Sequence, residues 1–323
     1  MSEAIVCDLD LGSEAGLWHR PTIYNPSVLI GNLLLARLEE FEDEVSSEAR
    51  VFSLEGSVLR LVDGTPRFRG IQDPYYLGTF RDPVDESRPY HVIGGVAITI
   101  DGVTGLITNW QDVNYRYKKS IDEVVQNGWP VPFLRSAPCS KDLRYTQLDD
   151  CIAACPRPQG EFGGIGRVGF FRTRDISTLQ GDLLRYFANA DESTLVPDIF
   201  EEDEWGGINQ MIPQPDGTIF VVGHKARRIA TLGGVMLRYR AFSSVLDPES
   251  GKLLYPIEEF DITPHQFGDV TPKRPELDDV VFTGGVSPLN ATTALFIGGI
   301  KDAAVAMKVI PNPVPGYSQK YTP

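Results

Sequence analysis

The chain has 323 residues, of which 42% are hydrophobic, enough for one large β or α/β domain or for two ordinary ones. Its formal net charge of −14 at pH 7 opposes long-range attraction to nucleic acid or to an anionic membrane, and favours a small ligand that is neutral or captured by a local basic pocket. The four cysteines lack a disulfide or zinc-site pattern, and neither a signal-like start nor a membrane-length apolar run occurs, so we expect a cytoplasmic protein without a bound metal.

Short apolar segments rich in Val, Ile, Phe and Tyr follow one another along the chain, each bounded by Gly, Pro, Asp or Asn. This pattern is typical of β-strands. Helical spacing is confined to "SIDEVVQNG" from Ser120 and "STLQGDLLRYFANA" from Ser177. The 31 glycines and 24 prolines favour many tight turns. The sequence therefore predicts an all-β protein, either a sandwich, a barrel or a propeller.

Five strand-like segments align as a repeat, and their starts lie 58, 61, 67 and 76 residues apart. Each interval is long enough for a four-stranded sheet with its loops. We therefore predict one domain over residues 1–323, a five-bladed β-propeller with four-stranded antiparallel blades around a central channel. Residues 1–20 or the C-terminal segment would complete a sheet and close the ring. The segments are "NLLLARLEEF" from Asn32, "YHVIGGVAITI" from Tyr90, "CIAACPRP" from Cys151, "TIFVVGHKARR" from Thr218 and "ALFIGGIKDAAVAMKVI" from Ala294.

A polar group precedes each of these repeats at a comparable place. The innermost strands of a propeller line its channel, so we expect these groups to face one pocket. The alternative is that they only cap turns, since Asp-Pro and Asn-Pro are common turn sequences. The five groups are Asn25, Asp73, Asp142, Asn209 and Asp279.

Several short blocks also occur in an order that resembles a known group of enzymes. They are "YNPSV", "LLLARLE", "QDP", "KDLR", "CPRP", "VVGHKA" and "DDVVFTGGV…LFIGGIKDAA". This order resembles the five-bladed propellers of glycoside hydrolase family 130, the inverting β-mannoside phosphorylases and related mannosidases, and more distantly family 43. Over roughly residues 20–310 the chain resembles still more closely their uncharacterised relative, domain-of-unknown-function family 1861.

The resemblance implies a role for each matching residue. In the phosphorylases one acid protonates the glycosidic oxygen while phosphate attacks the anomeric carbon from the opposite face, and Asp73 in "QDP" matches that acid. A small carbohydrate would be the ligand, and inorganic phosphate a candidate co-substrate, with no other cofactor. The implied phosphate contacts are Arg37, Lys141 and His224. The expected sugar contacts include three of the polar groups that precede the repeats. They are Asn25, Arg37, Asp142, Asn209 and Asp302.

The chemistry of inverting cleavage explains these residue types. The leaving oxygen needs a proton, and the nucleophile needs room on the opposite face of the sugar. A phosphate nucleophile needs fixed cations, and the planar fork of arginine matches an oxyanion. The overall negative charge of the chain is consistent with phosphate binding, because Arg and His residues lie beside the predicted pocket segments.

The "QDP" block departs from the family pattern, in which the acid usually follows Glu and precedes Arg. Gln72 and Tyr75 occupy those places, and Arg81 is a candidate to supply the missing charge. Arg37 as an exposed arginine and His224 as an interior histidine remain alternatives. Three hypotheses follow: an enzyme that cleaves or phosphorolyses a β-linked mannoside-like sugar, a non-catalytic glycan-binding propeller, and a protein-interaction propeller. The sequence leaves the sugar and the oligomeric state open.

Overall fold

The computed structural model of the protein describes residues 4–28, 31–41, 43–65, 67–84, 89–104, 106–117, 132–160 and 162–314. Strands dominate these residues, which confirms the predicted all-β class. The helix predicted from Ser177 is present as α1 (Leu179–Asn189), whereas the one predicted from Ser120 lies outside the described residues. None of the helices described is long and apolar enough to span a membrane. The short 3₁₀ helices are Gly12–Leu17, Glu44–Ser46, Glu192–Thr194, Pro264–Phe267 and Pro275–Leu277.

The strands are, in chain order, β1 (Ala4–Val6), β2 (Asp8–Asp10), β3 (Pro21–Val28), β4 (Leu33–Glu40), β5 (Glu48–Glu55), β6 (Val58–Leu61), β7 (Phe68–Arg69), β8 (Ile71–Phe80), β9 (Tyr90–Ile100), β10 (Ile107–Tyr117), β11 (Leu134–Arg135), β12 (Arg144–Gln147), β13 (Ile152–Cys155), β14 (Phe171–Thr173), β15 (Glu204–Pro213), β16 (Ile219–Thr231), β17 (Gly234–Leu246), β18 (Glu258–Glu259), β19 (Asp279–Pro288), β20 (Thr293–Ile300) and β21 (Ala304–Pro311).

These strands form four hydrogen-bonded sheets. Their orders are β2-β6-β5-β4-β3 with β7 on β5, then β11-β10-β9-β8, then β12-β13-β14, and finally β1-β21-β20-β19-β17-β16-β15 with β18 on β17. The last sheet consists of two antiparallel parts, joined where β17 and β19 pair in parallel over two residues. The described chain thus contains five successive antiparallel units. Because β1 pairs with β21, the predicted completion of the last sheet by N-terminal residues is confirmed.

The five predicted repeats correspond to the second strand of each unit, β4, β9, β13, β16 and β20. The first strands of the units, β3, β8, β12, β15 and β19, are called the inner strands here. Each inner strand contacts the next in this order, and β19 contacts β3, so the five form a closed ring. The units are therefore arranged around a common centre.

Apolar residues fill the spaces between neighbouring units. Five clusters of buried side chains occur in the described chain, each drawn from two adjacent units, so every unit buries both of its faces. Helix α1 packs its buried face on one of them. Members that come from the two units of each cluster include Leu35 and Ile93, Val92 and Ile152, Ala153 and Val221, Phe220 and Val281, and Leu34 and Met307.

Close approach of the inner strands requires glycine where the ring closes. A Cβ placed on Gly284 of β19 would lie 2.1 Å from the carbonyl oxygen of Pro26 in β3. Backbone atoms cannot move aside as a flexible side chain can. Gly284 therefore allows the last inner strand to pack against the first.

We expect Gly284→Ala to lower the free energy of unfolding by about 1–3 kcal/mol, the usual cost of over-packing. Urea denaturation measures this change. Gly181→Ala in α1 is the matched control, because no atom beyond the backbone of its own helix lies within 4 Å of its added Cβ and alanine favours a helix. Equal unfolding midpoints for the Gly284 variant and wild type would contradict the role assigned to this contact.

Candidate functional site

Three of the predicted polar residues have an unusual backbone. Asn25 and Asp73 lie at irregularities in the pairing of β3 and β8, and Asp142 lies two residues before the start of β12. Their φ angles are 49°, 44° and 60°, in the left-handed region that Asn and Asp tolerate better than most residues. A bulge of this kind re-aims a side chain away from the normal alternation of the strand. This geometry explains why the sequence has Asn-Pro and Asp-Pro at these points.

These residues lie at one end of the ring. Because neighbouring strands are antiparallel, the end where the inner strands begin is also the end where the second strands finish. The connections after β4, β9, β13, β16 and β20 therefore emerge there, and we call this end the site face. These connections carry Glu44, Arg157 and Asp302. Residues from opposite ends of the chain thus meet at the site face.

Asp73 lies among hydrogen-bond donors. The Asn25 Nδ2 atom donates to Asp73 Oδ1 over 2.7 Å, and Arg37 Nη1 lies 3.5 Å from the same oxygen. Asn25 and Arg37 are buried, and 13% of the Asp73 side chain is exposed. The structure thus brings three predicted site residues together, and Arg37 is not the exposed arginine of the alternative interpretation.

A buried ionic group holds Arg37 in place. Its Nε donates to Glu39 Oε2 over 2.8 Å and to Ser47 Oγ over 3.1 Å. Lys273 bonds Glu39 from the other side and donates to the Tyr24 hydroxyl over 3.0 Å. Burial alone would raise the pKa of Glu39, but Arg37 and Lys273 outweigh it and lower that pKa. Sequence reasoning missed Glu39 and Lys273, since no local pattern connects residues so far apart in the chain.

A second group surrounds Asp142. Arg157, in the connection after β13, forms a salt bridge with Asp142 Oδ2, and both side chains are buried. Burial alone would raise the pKa of Asp142, but Arg157 holds it below its ordinary value. Arg144 donates to the Asn209 carbonyl oxygen over 2.9 Å, and its guanidinium lies 3.7 Å from the centre of the Tyr75 ring. Arg157 belongs to the block "CPRP", whose position after a buried strand was the one available signal for it.

His224 is a buried, neutral histidine. Its Nδ1 lies 2.7 Å from Asn209 Oδ1, and with the amide oxygen as acceptor this nitrogen carries the proton. Burial lowers the pKa of His224 to about 3, although Asp142 opposes the shift. The ring stacks on Tyr239 and packs against Phe282. His224 therefore offers hydrogen bonding at Nε2 and no positive charge.

Lys141 is a half-buried cation whose ammonium makes no hydrogen bond or ion pair with the described residues. Burial lowers its pKa, and the positive charge of Arg157 lowers it further. Asp142 and Asp73 act in the opposite direction, so Lys141 interacts electrostatically with both groups of the site. An added anion would stabilise its charged form.

Asp302 is a half-buried carboxylic acid in the turn after β20, with a φ of 51°. Its carboxyl group has no hydrogen bond or ion pair among the residues that the structure describes. Burial raises its pKa to about 6, although Arg37 and Lys273 oppose the shift. The group predicted to accept sugar hydroxyls thus has both oxygens uncommitted.

Several buried polar atoms of the site make no hydrogen bond to the described protein, although one of them, Arg37 Nη2, lies 4.0 Å from Glu44 Oε2. Leaving such an atom unpaired costs about 1–3 kcal/mol unless a ligand or an ordered water completes it. Two of these atoms are donors on arginines, which suit the oxygens of an anion such as phosphate. The site atoms are Asn25 Oδ1, Arg37 Nη2, Asp142 Oδ1 and Arg157 Nε.

Two sequence-based expectations are wrong. Asp279 is bound by Arg238 and Arg240 at 2.8 and 2.6 Å where β17 meets β19, and the pairing irregularity of its strand lies instead at Gly284. Arg81 follows the far end of β8 and donates to the Asp149 carbonyl oxygen over 2.7 Å. Because Arg81 and Asp73 are at opposite ends of the same strand, Arg81 does not supply a charge to the site.

The model of a family described as a protein of unknown function, DUF1861, matches residues 22–316. No curated protein matches the sequence. Among solved structures, the chain is similar to MPT-4, a mannose phosphorylase from Leishmania mexicana in complex with phosphate ion, with 23% identity over 96% of this chain and 88% of that chain and a TM-score of 0.77. It is similar to MPT-1, a GDP-Man-dependent mannosyltransferase from Leishmania mexicana, with 20% identity over 98% and 91% and a TM-score of 0.77. The α-L-arabinofuranosidase Arb93A from Fusarium graminearum has 10% identity over 96% and 97% and a TM-score of 0.53. At these identities the likeness shows a shared fold.

We expect Asp302→Asn to stabilise the protein at pH 8 and to be neutral near pH 4. In the folded protein the pKa of this carboxyl group is raised from 3.8 to about 6, so its charged form is disfavoured there. The free energy of unfolding therefore falls as the pH rises through that interval. The gain at pH 8 is at most about 3 kcal/mol. Urea denaturation at both pH values measures it, and Asp269→Asn on the exposed surface is the control. An equal effect of Asp302→Asn at pH 4 and pH 8 would rule out the raised pKa.

Proposed function

Since the chain belongs to the DUF1861 family of proteins of unknown function, we propose from its site that it is a carbohydrate-active propeller. The reaction is cleavage or phosphorolysis of a β-linked mannoside-like glycoside with inversion. The five antiparallel units are its blades, and residues 1–323 form one domain. The fold shared with a mannose phosphorylase supports this proposal without deciding the substrate.

The observation that carries the proposal is the set of cationic side chains around Asp73 and Asp142, each with a nitrogen that makes no hydrogen bond to the described residues. Arg37 and Arg157 each have a buried nitrogen without a hydrogen-bond partner, although Arg37 Nη2 lies 4.0 Å from Glu44 Oε2, and the Lys141 ammonium is unpaired within the described chain. Both arginines are already paired with carboxylates of the protein, so what they offer a ligand is an N–H group without a hydrogen bond. In a protein with a net charge of −14, such a group favours a specific anion over general attraction. Phosphate fits these donors.

Asp73 donates a proton to the glycosidic oxygen as the bond from that oxygen to the anomeric carbon breaks. Phosphate attacks the anomeric carbon from the opposite face, so the products are a mannosyl phosphate of inverted configuration and a shortened sugar. The amide of Asn25 fixes one oxygen of Asp73 and leaves the other for the substrate. Asp302 accepts hydroxyl groups of the sugar.

The neutral state of His224 refines its role at the site. Because Nδ1–H is committed to Asn209, Nε2 remains as an acceptor. An acceptor suits a hydroxyl of the sugar or the P–OH of a phosphate monoanion, and repels the oxygens of a dianion. The charge that binds phosphate then comes from Arg37, Lys141 and Arg157.

Hydrolysis is the second candidate function. It is favoured by Asp302, whose uncommitted carboxyl group is a candidate general base for a water nucleophile. In that reaction phosphate would have no role. If no glycoside reacts, the remaining alternatives are binding of a glycan without cleavage and binding of a protein partner.

We expect Asp73→Asn to reduce turnover by roughly 10²- to 10⁴-fold, the usual contribution of a positioned general acid. The asparagine keeps an acceptor for Asn25, so fold and sugar binding persist. The measurement is turnover of a panel of β-mannosides with and without phosphate, together with the melting temperature. Asp269→Asn is the control.

A variant that remains active but melts several degrees lower would show that Asp73 only shapes its turn. Dependence of the wild-type rate on phosphate separates phosphorolysis from hydrolysis. If no glycoside of the panel reacts with the wild type, the enzymatic proposal fails and the glycan-binding alternative replaces it.

A further inference from the structure

One buried carboxyl group joins two neighbouring units of the ring. Asp112 is on β10, the third strand of the second unit, and it is fully buried. Its Oδ1 atom accepts a hydrogen bond from the Leu143 backbone N–H and another from the Tyr75 hydroxyl, each over 3.2 Å. Tyr75 belongs to β8 of the second unit, whereas Leu143 directly precedes β12 of the third. A single oxygen of Asp112 therefore links the inner strands of both units.

The two donors come shortly after the left-handed residues of the site. Leu143 follows Asp142, whose φ is 60°, and Tyr75 lies two residues after Asp73, whose φ is 44°. A residue other than glycine keeps such a conformation only when the surrounding structure fixes it. The carboxyl group of Asp112 is thus placed to fix both irregular points at once.

Tyr75 reaches β10 by crossing the intervening strand at a glycine. Gly94 of β9 is paired with Tyr75 on one side and with Asn114 of β10 on the other. A Cβ on Gly94 would collide with the Tyr75 ring and with Asn114 Nδ2. The same Asn114 nitrogen donates to the Tyr75 hydroxyl over 2.7 Å. These contacts hold the hydroxyl group of Tyr75 against Asp112.

The segment that carries Lys141 is attached to β10 on both sides. Before Lys141, the Cys139 backbone N–H donates to the Trp110 carbonyl oxygen over 3.0 Å. After it, the Leu143 N–H is bonded to Asp112. The position of Lys141 therefore depends on Asp112, as does the position of the segment around Tyr75.

The surroundings of Asp112 disfavour a negative charge on it. Its second oxygen, Oδ2, makes no hydrogen bond to the described residues. Burial raises the pKa of Asp112 to about 7 with a further contribution from Asp142, although Arg144 and the two donors oppose the shift. Tyr75 and Tyr145 also face this carboxyl group, and burial raises the pKa of both hydroxyls well above the ordinary value, so they stay neutral. Asp112 therefore changes its charge near neutral pH.

We propose that Asp112 is a positioning residue, which holds Asp73 and Lys141 in the relative arrangement that the reaction needs. It contacts neither sugar nor phosphate and acts through Tyr75 and Leu143. In its ionised form it adds a negative charge close to Asp142 and weakens the binding of an anion. This inference rests on the proposed function, because it assigns the proton to Asp73 and the phosphate to the cations.

Two substitutions separate the hydrogen bonds of Asp112 from its charge. Asp112→Asn keeps the acceptor oxygen and resembles the neutral acid, whereas Asp112→Leu removes the acceptor. In calorimetric titration with inorganic phosphate at pH 6, the leucine variant should bind at least about tenfold more weakly than wild type, since a displaced Lys141 loses a charge-assisted hydrogen bond. The asparagine variant should bind as wild type does. Thr173→Val, which removes two buried hydrogen bonds on the outer strand β14, should lower the melting temperature without changing phosphate affinity.

The charge of Asp112 supplies a readout that a purely structural role would not change. From pH 6 to pH 8, wild type should lose affinity for phosphate relative to Asp112→Asn by about three- to tenfold, the effect of one added charge at a moderate distance. Phosphate and Asp302 also change their charge in this range, but they do so in both proteins. The ratio of the two affinities therefore reports Asp112.

Tyr75→Phe tests the link to Asp73 without removing the carboxyl group, and it serves if the leucine variant does not fold. It should lower kcat on a β-mannoside by about tenfold, the equivalent of one hydrogen bond, and leave phosphate affinity unchanged. An unchanged kcat would overturn this part of the inference.

The results separate this inference from the proposed function. If Asp112→Leu binds phosphate as tightly as wild type, or if the ratio for Asp112→Asn is the same at both pH values, the positioning role fails while the proposed function stands. If the phosphate affinities change as expected but no glycoside reacts, the proposed function fails and the positioning of the anion site stands. If wild type binds no phosphate, the inference fails, and glycoside turnover decides the proposed function separately.

Discussion

Five inner strands meet around one centre, and the backbone cannot stay regular where they begin. Gly284 allows β19 to close against β3, and left-handed residues interrupt β3 and β8 at Asn25 and Asp73. The same irregularities turn polar side chains out of the sheets. The close packing of the inner strands and the formation of the site therefore depend on the same positions. Asn25 and Asp73 are residue types that tolerate a positive φ, and Gly284 has no Cβ to collide with β3.

Buried charge then determines what the site suits. Arg37, Glu39 and Lys273 bind one another in the first group, and Asp142 and Arg157 in the second. Each group leaves one arginine nitrogen without a hydrogen-bond partner, and Lys141, which has no ion pair in the described chain, interacts electrostatically with both groups. These are the cations to which we propose that phosphate binds. The uncommitted carboxyl of Asp302 is the group that we propose as an acceptor for sugar hydroxyls.

The sequence was most informative where the signal is local. Alternating apolar runs identified the second strand of every unit, and the Asn-Pro and Asp-Pro pairs marked the irregular points of β3 and β8. Contacts between distant segments left no such signal: Lys273 and Glu39 are bonded across 234 positions. The repeat spacing also led to a wrong expectation for Asp279, because the position of a residue relative to a strand start does not show where the pairing of that strand becomes irregular. His224 was recognised by its block, but its neutral state follows from burial, which the sequence does not display.

Calorimetric titration with inorganic phosphate tests most directly whether this cationic group is an anion site. The account predicts saturable binding by wild type and at least about tenfold weaker binding by Lys141→Gln, since a charge-assisted hydrogen bond contributes about 1.5–3 kcal/mol. The exposed Lys252→Gln should bind as wild type does. Because Lys141 has no bond to the described chain, its loss should leave the fold intact. The account would be contradicted if wild type bound no phosphate, or if Lys141→Gln bound phosphate as tightly as wild type and Lys252→Gln do.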